Sequence, residues 1–563
     1  MIKYIRSLFF GSLFVFVLSC TYIPDETNGV KAVIKNFEYP DTVIAPFKFP
    51  KIEVPDIPNK QFSIIEYGAQ NGGKFDCTEA IKETIKAASK EGGGIVVIPA
   101  GKWLTGPIHL ESNINLYLED SAKVLFSQDY NDYLPVVLWR HEGIEVYSYS
   151  PFIYAIDKEN IAITGNGEFY GQGKAWWDYR FTENQKYYHG SIERLRKMGE
   201  DGIPVEERVF DSLGFKFLCP PFVAPIRCKN IWIEGVTFKY GAFWTITPTY
   251  CENVVIRNIN VETHGKYGHT PNGDGINPSS CKNVLIENCI LDTGDDCIAI
   301  KSGKNGDGRR VGIATENIVV RNVTGLKGHG GIVIGSEMSG GVQNVYAYNC
   351  NFNGTDRIIR IKAERGRGGY VRNCWYENIT ADTIEREAIR INLLYNGKRM
   401  PVKEVDETTP VFENIFIKDV RCKYSKRNAI QLVGIPESFI RNVHIDSVTI
   451  MADKGIEITD AKGIYLTNIN IDPVSTPLLK IESSSEIDVD GLYCNSVKRD
   501  KIPISITDAQ YIKLSNVDIK SEHDKVLNVS GQKTDSIILD INSFNMSGIN
   551  FIEGATKKSI TIK

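Results

Sequence analysis

Asn230-Ile231-Trp232-Ile233, Asn253-Val254-Val255-Ile256 and Asn283-Val284-Leu285-Ile286 are three copies of one phrase, set 23 and 30 residues apart. Each is an asparagine followed by a short apolar run. The phrase is already present at Asn160-Ile161-Ala162-Ile163. It returns at Asn317, Asn344, Asn414 and Asn442, and its phase continues through Gly463-Ile464-Tyr465-Leu466, Tyr511-Ile512-Lys513-Leu514 and Ser536-Ile537-Ile538-Leu539. A short strand recurring at such intervals cannot bury its apolar face alone and does so by stacking on its neighbours. The pattern predicts an all-β parallel β-helix with asparagine, isoleucine and cysteine ladders inside. A β-propeller needs repeats of about 40 residues and fits poorly.

The cysteines follow the same period. Cys228-Lys229-Asn230, Cys251-Glu252-Asn253 and Cys281-Lys282-Asn283 repeat one pattern, and Asn288-Cys289, Asn349-Cys350 and Asn373-Cys374 a second. Cysteine at a fixed place in a repeat points to stacked core packing. No CxxC pair has zinc-like spacing.

Outward from the repeat, two regions break its rhythm. Before it, Phe62 to Ala69 reads as a strand and turn. A helix follows, with capping-box spacing from Asp76 to Glu79 and Ala80, Ile81, Ile85 and Ala88 on one face. Gly92-Gly93-Gly94 ends that helix, which is placed to cover the exposed edge of the first coil. Within the repeat, 70 residues separate Asn160 from Asn230. The excess, near 174–227, holds Trp176-Trp177, Tyr187-Tyr188 and Pro220-Pro221. Such a loop either binds a ligand or packs on the outside of the coils.

The N-terminus reads as a targeting segment over 1–19. Lys3 and Arg6 precede an apolar run from Leu8 to Leu18 that is too short to span a bilayer comfortably. Leu18-Ser19-Cys20 resembles a bacterial lipoprotein signal, which implies lipidation of Cys20 and an exported, periplasmic or outer-membrane-anchored protein whose only membrane contact is its lipid. Loss of Cys20 from the twelve cysteines would leave eleven, an odd number that argues against a complete disulfide framework. Residues 20–60, rich in Pro, Val and Ile, are expected to form an extended tether, and 61–563 the β-helical domain. The formal net charge of −4 argues against a nucleic-acid partner. Bare repeat architecture suggests a monomer.

Two acidic clusters lie about one coil apart, Asn272-Gly273-Asp274 and Gly294-Asp295-Asp296, with 21 residues from Asp274 to Asp295. Neighbouring parallel strands are ~4.8 Å apart, so this spacing can bring the carboxylates together. Carboxylates that close cannot all ionise freely, and at least one pKa should rise. Inverting glycoside hydrolysis needs an acid beside a base, with the two carboxyl groups ~6.5–9.5 Å apart. Gly328-His329-Gly330 follows, its glycines admitting a close backbone approach to a ligand. From Arg357 to Arg367 there are five basic residues against one acidic. Arg360 and Lys362, two apart, share one strand face and suit an anionic sugar.

These four motifs, in this order, resemble glycoside hydrolase family 28, the polygalacturonases, whose signatures are Asn-x-Asp, Gly/Gln-Asp-Asp, Gly-His-Gly and Arg-x-Lys. The resemblance spans roughly 60–470. Gly273 departs from the threonine common there. The resemblance implies a right-handed, pectin-lyase-like β-helix that needs no metal or other cofactor. Asp295 would be the general acid, Asp274 and Asp296 the activators of water, and His329 the support of the acid. Asn272, Arg360 and Lys362 would bind substrate, a pectic polysaccharide or oligogalacturonide. The stretches near 303–310 and 335–341 resemble exo-acting members. A rhamnogalacturonan or xylogalacturonan hydrolase, a β-helical pectate lyase and a non-catalytic glycan-binding β-helix stay open on sequence alone.

Overall fold

The structure is a computed structural model that describes residues 37, 40–183, 185–211, 218–268, 270–497, 502–521 and 523–563. The targeting segment and Cys20 lie outside the described residues.

The chain winds into a right-handed parallel β-helix. One coil reads Val223–Ile226, Lys229–Glu234, Thr237–Lys239, three short strands separated by bends. Each strand pairs in parallel with its counterpart one coil away: Ile231 with Val254, Val254 with Val284, Val284 with Ile318, Ile318 with Val345, Val345 with Cys374. These interior positions are all buried.

The repeated asparagine makes the bend. Asn230, Asn253, Asn283 and Asn317 have φ of 54°, 57°, 59° and 58°, in the left-handed region that asparagine tolerates better than most residues. Each side-chain amide then donates to the carbonyl oxygen of the asparagine one coil earlier. The ladder runs from Asn442 down to Asn113, with Asn283 to Asn253 at 3.2 Å and Asn317 to Asn283 at 3.0 Å. One residue type thus satisfies the corner's backbone conformation and locks the register.

The expected helix spans Thr78–Lys90 and buries Ala80, Ile81, Thr84, Ile85 and Ala88. Its cap is looser than a capping box: Asp76 accepts from the Thr78 backbone amide at 2.9 Å, and no side chain caps the helix from Cys77.

The described part of the stretch read as a tether, Phe37 and residues 40–60, is extended, but it does not hang free. Next to the interior residues of the long sheet, the outward positions Ala162, Trp232, Val255, Leu285 and Val319 are apolar too. Phe37, Val43, Ala45, Phe47, Phe49, Ile52, Val54 and Ile57 pack over them, and Arg321 donates to the Asp41 carbonyl at 2.9 Å. A parallel sheet with two apolar faces needs a layer on each; this strap is the outer one.

Two insertions leave the coils on another side. Val137–His141 and Ile144–Ser148 form an antiparallel hairpin that the strand periodicity did not reveal. The longer excursion, placed by sequence near 174–227, folds as helices Lys174–Phe181 and Gln185–Glu200, then the short strand Val209–Phe210, which joins the hairpin in parallel. The helix Asn305–Val311 closes the group. Asp307 ties the three together: it accepts from buried Arg208 at 2.7 Å and from the Glu145 amide at 3.0 Å.

The ladder makes a testable distinction. Asn283→Ala loses two ladder bonds and forces a Cβ residue into the left-handed region, whereas Asn283→Gly loses the same bonds without the backbone strain. Alanine should therefore cost about 1–2 kcal/mol more than glycine, read as the larger drop in thermal midpoint.

Candidate active site

The sheet that carries Val223–Ile226, Ile298–Ile300, Ile332–Gly335 and Ile359–Lys362 forms the floor of a groove. Bridges Ile246↔Ile276 and Ile276↔Ile298 continue it through the intervening coils. Asp274 stands just before the bridge residue Ile276, and Asp295-Asp296 just before Ile298. The Gly275 amide donates to the Asp296 carbonyl at 3.0 Å, so the two acidic motifs sit on adjacent coils in register. His329 precedes the next strand, and Arg360 and Lys362 face outward from the one after it.

All six residues from the last three motifs and Asp274 converge. One carboxylate oxygen from each of Asp274, Asp295 and Asp296 lies within 4.8 Å of the others. This is tighter than the separation expected of a simple inverting pair. Asp274 and Asp296 are buried. His329 Nδ1 is 3.0 Å from Asp295 Oδ1. Lys362 Nζ donates to Asp296 Oδ2 at 2.7 Å, and Arg360 is 3.5 Å from the other oxygen. Asn277 donates to Asp274 Oδ2 at 2.9 Å.

Some details differ from the sequence reading. The glycines around His329 admit the preceding coil: a Cβ on Gly328 would come within 2.6 Å of Thr293 Oγ1 and 2.7 Å of the Asp295 carbonyl. Asn272 lines the pocket, yet its amide oxygen accepts from Arg180 of the inserted helix at 2.9 Å. Arg360 and Lys362 face Asp296 and the ring of Tyr395, 5.4 and 5.1 Å from its centre.

The charges explain who holds the protons. Burial, joined by the charges of Asp295 and Asp296, raises Asp274 well above the carboxylate range, against Lys301 and the Asn277 amide. Burial pushes Asp295 the same way, but the His329 hydrogen bond and charge, with Lys362 and Lys301, outweigh it and hold Asp295 low. Burial would lower His329; its bond to Asp295 and the nearby acids raise it instead. These shifts favour the neutral form of Asp274 and the charged forms of His329 and Asp295. Three oxygens this close could also gather a cation, but Lys362 and Lys301, the latter 3.8 Å from Asp274, already supply the positive charge there.

Sequence reasoning missed a second tier. Lys301 follows Ala299 on the outward side of its strand, so simple alternation places it over the groove. It contacts Glu337 at 3.0 Å and lies 4.4 Å above the Trp244 ring. Burial and then its acidic neighbours act on it, and the acids prevail, keeping it charged. Beyond it, Glu142 of the hairpin accepts from Arg196 at 2.7 Å and Lys304 at 3.0 Å. These residues and Asn305 line one end of a pocket of about 370 Å³ whose other walls carry Asp274, Asp295, Asp296, Lys362 and Tyr395. Tyr395 sits on a loop with no periodic signal.

Fold and site together define a glycosidase built on a parallel β-helix. The chain belongs to the glycosyl hydrolases family 28, whose family model matches residues 217–462. It is 30% identical over 429 residues to a probable polygalacturonase of Vitis vinifera, across 74% of this chain and 80% of that one. An exo-poly-alpha-D-galacturonosidase of Dickeya chrysanthemi is 25% identical, across 67% of this chain and 64% of that one. Among solved structures, a hyperthermoactive exopolygalacturonase from Thermotoga maritima superposes with a TM-score of 0.65 at 38% identity, covering 73% of this chain and 94% of that one.

The raised pKa of Asp274 has a stability consequence. Below the unfolded value near 3.8 the group is protonated in both states and contributes nothing. As pH rises past that value only the unfolded chain ionises, so the native state loses stability until the folded pKa is passed. Asp274→Asn, a neutral isostere, should raise the melting temperature at pH 7 over the parent, and the gain should vanish below about pH 3.8.

Proposed function

We propose that the protein is an exo-acting polygalacturonase that hydrolyses α-1,4-galacturonosidic bonds of pectin from a chain end, with inversion at the anomeric carbon. The observation that carries this reading is that inserted elements share the pocket with the aspartates: Glu142 of the hairpin, Arg196 of the helix and Lys304-Asn305 line it beside Asp274, Asp295 and Asp296. Insertions at that place favour entry of a chain end over entry of its middle. The 38% identity to a protein described as an exopolygalacturonase supports the same mode.

The chemistry follows from the proton placement. Asp295 delivers a proton to the leaving oxygen. That proton is stored in its hydrogen bond with His329, whose raised pKa keeps the pair loaded as Asp295 becomes the donor. On the other side a water sits between Asp274 and Asp296. Carboxyl oxygens within 4.8 Å of each other can both reach one water at ordinary hydrogen-bond length. Asp296 takes its proton as it attacks. Arg360 and Lys362 turn from Asp296 to the galacturonate carboxylate when substrate arrives. Tyr395 bounds the sugar on the same side, and Asn272, positioned by Arg180, the opposite rim. The substrate arrives by diffusion to a protein exported and held by a lipid on Cys20, with the catalytic groups carried by the β-helical domain from 61 onward and the strap packed against its outer face.

Incubation with polygalacturonate should release galacturonate or one short oligomer from the start, and proton NMR should see the β anomer first. An early ladder of mixed oligomers would defeat the exo mode, and an unsaturated uronate absorbing in the ultraviolet would mean a lyase. Asp295→Asn should lower kcat by at least ~100-fold, a loss that a glycan-binding protein without turnover could not show. Expression of Cys20→Ser should shift the protein from the membrane to the soluble fraction; retention in the membrane would refute the lipid anchor.

A further inference from the structure

Beyond the site, the groove floor continues toward the C-terminal coils. The outward column of that sheet reads Val333, Arg360, Arg390 and Gln431 in strict register. Arg390 is thus the residue one coil beyond Arg360, ~4.8 Å away along the axis. A 1,4-linked pyranose chain advances by about one coil height per sugar, so a chain laid along this floor presents successive carboxylates to successive coils.

The charge around Arg390 is unbalanced. Arg357, Arg386, Arg390 and Arg427 face two acids, Asp356 and Glu387. Glu387 is committed to Arg357, with both contacts at 2.9 Å, and Asp356 meets Arg386 at 3.2 Å. Arg390 and Arg427 reach Glu387 only at 3.4 and 3.6 Å. Arg360 shares Asp296 with Lys362, and nearby Lys426 is matched by Glu385 at 2.7 Å. Burial, with Arg360 and Arg427 next to it, holds the Arg390 guanidinium below its ordinary range despite Glu387. Two buried donors on this floor, Arg360 Nε and Arg390 Nε, have no partner among the described residues, while the Gln431 amide donates to Glu457 at 2.8 Å. Crowded cations and unmet donors are costly unless an anion completes them.

We infer that Arg390 binds the carboxylate of the uronate unit that follows the one held by Arg360 and Lys362, on the side where the polymer leaves the pocket. The inference rests on the proposed polygalacturonase reading and adds a specificity-determining residue to it. It makes the enzyme favour longer, unesterified galacturonans.

The test is a series of di- to pentagalacturonate, with kcat/KM measured at each length. The parent should gain on addition of the unit that reaches Arg390. In Arg390→Gln that gain should shrink about tenfold or more, since a charge-assisted hydrogen bond of this kind is lost. Arg390→Lys should restore part of it. A length profile for an active Arg390→Gln that parallels the parent within about twofold at every step would overturn the inference and leave Arg390 as a structural partner of Glu387. If Arg390→Gln does not fold, the lysine variant decides: an unaltered profile with it overturns the inference. A parent that cleaves none of the series overturns the proposed function itself, and this inference with it.

Discussion

The contacts among Asp274, Asp295, Asp296, His329, Arg360 and Lys362 depend on the height of one coil. Parallel pairing fixes that height at ~4.8 Å, and it converts residues separated by 21 to 70 positions into nearest neighbours. Asp274 meets Asp296 because their coils are consecutive. Arg360 and Lys362 reach back to Asp296 because they stand two coils further along the same floor. The asparagine ladder enforces that spacing at each corner, so an element far from the groove sets the precision of the groove.

The site is held in electrostatic tension by the same stacking. Three acids brought within 4.8 Å of one another would repel strongly in a buried setting. The protein eases this by three different means: its surroundings favour the neutral form of Asp274, Asp295 pairs with His329, and Asp296 pairs with Lys362. Glu337 in turn stabilises Lys301; its carboxyl is raised by burial but held low by Lys301, Lys304 and Arg367. Because each group compensates another, the protonation pattern is a property of the cluster, and a substrate carboxylate bound beside Lys362, as proposed, would rearrange it.

The repeat and the four motifs were legible because their signals are local. An asparagine followed by alternating apolar residues carries the bend, the ladder and the interior face in four residues. Lys301 was legible in principle, through alternation after Ile298 and Ile300. The hairpin was not, although Glu142 and Gly143 have φ of 42° and 84°, the two successive positive values of a tight hairpin turn. Glu-Gly is a poorer announcement of that turn than Asn-Gly, and its flanking strands look like any other coil. The strap was readable as extended but not as a cover. The clue lay elsewhere, in the outward-facing Trp232, Val255, Leu285 and Val319, whose apolar side chains call for a partner. Tyr395 and Arg196 owe their places to loop and insertion geometry that no period encodes.

All eleven cysteines among the described residues are free and buried. Several stand one coil apart, as Cys228, Cys251 and Cys281 do, and burial raises the Cys251 thiol well above its ordinary range. In the folded molecule burial shields these thiols, since an inaccessible sulfur neither attacks nor is attacked. Once the coils separate, that protection ends for all of them together. In an oxidising medium the opened chain would cross-link in combinations that the solenoid cannot accommodate, because no native pairing exists to guide them. Unfolding would then be a one-way event, and the lifetime of the protein would be set by the rate at which the stack first opens and not by the depth of its energy minimum.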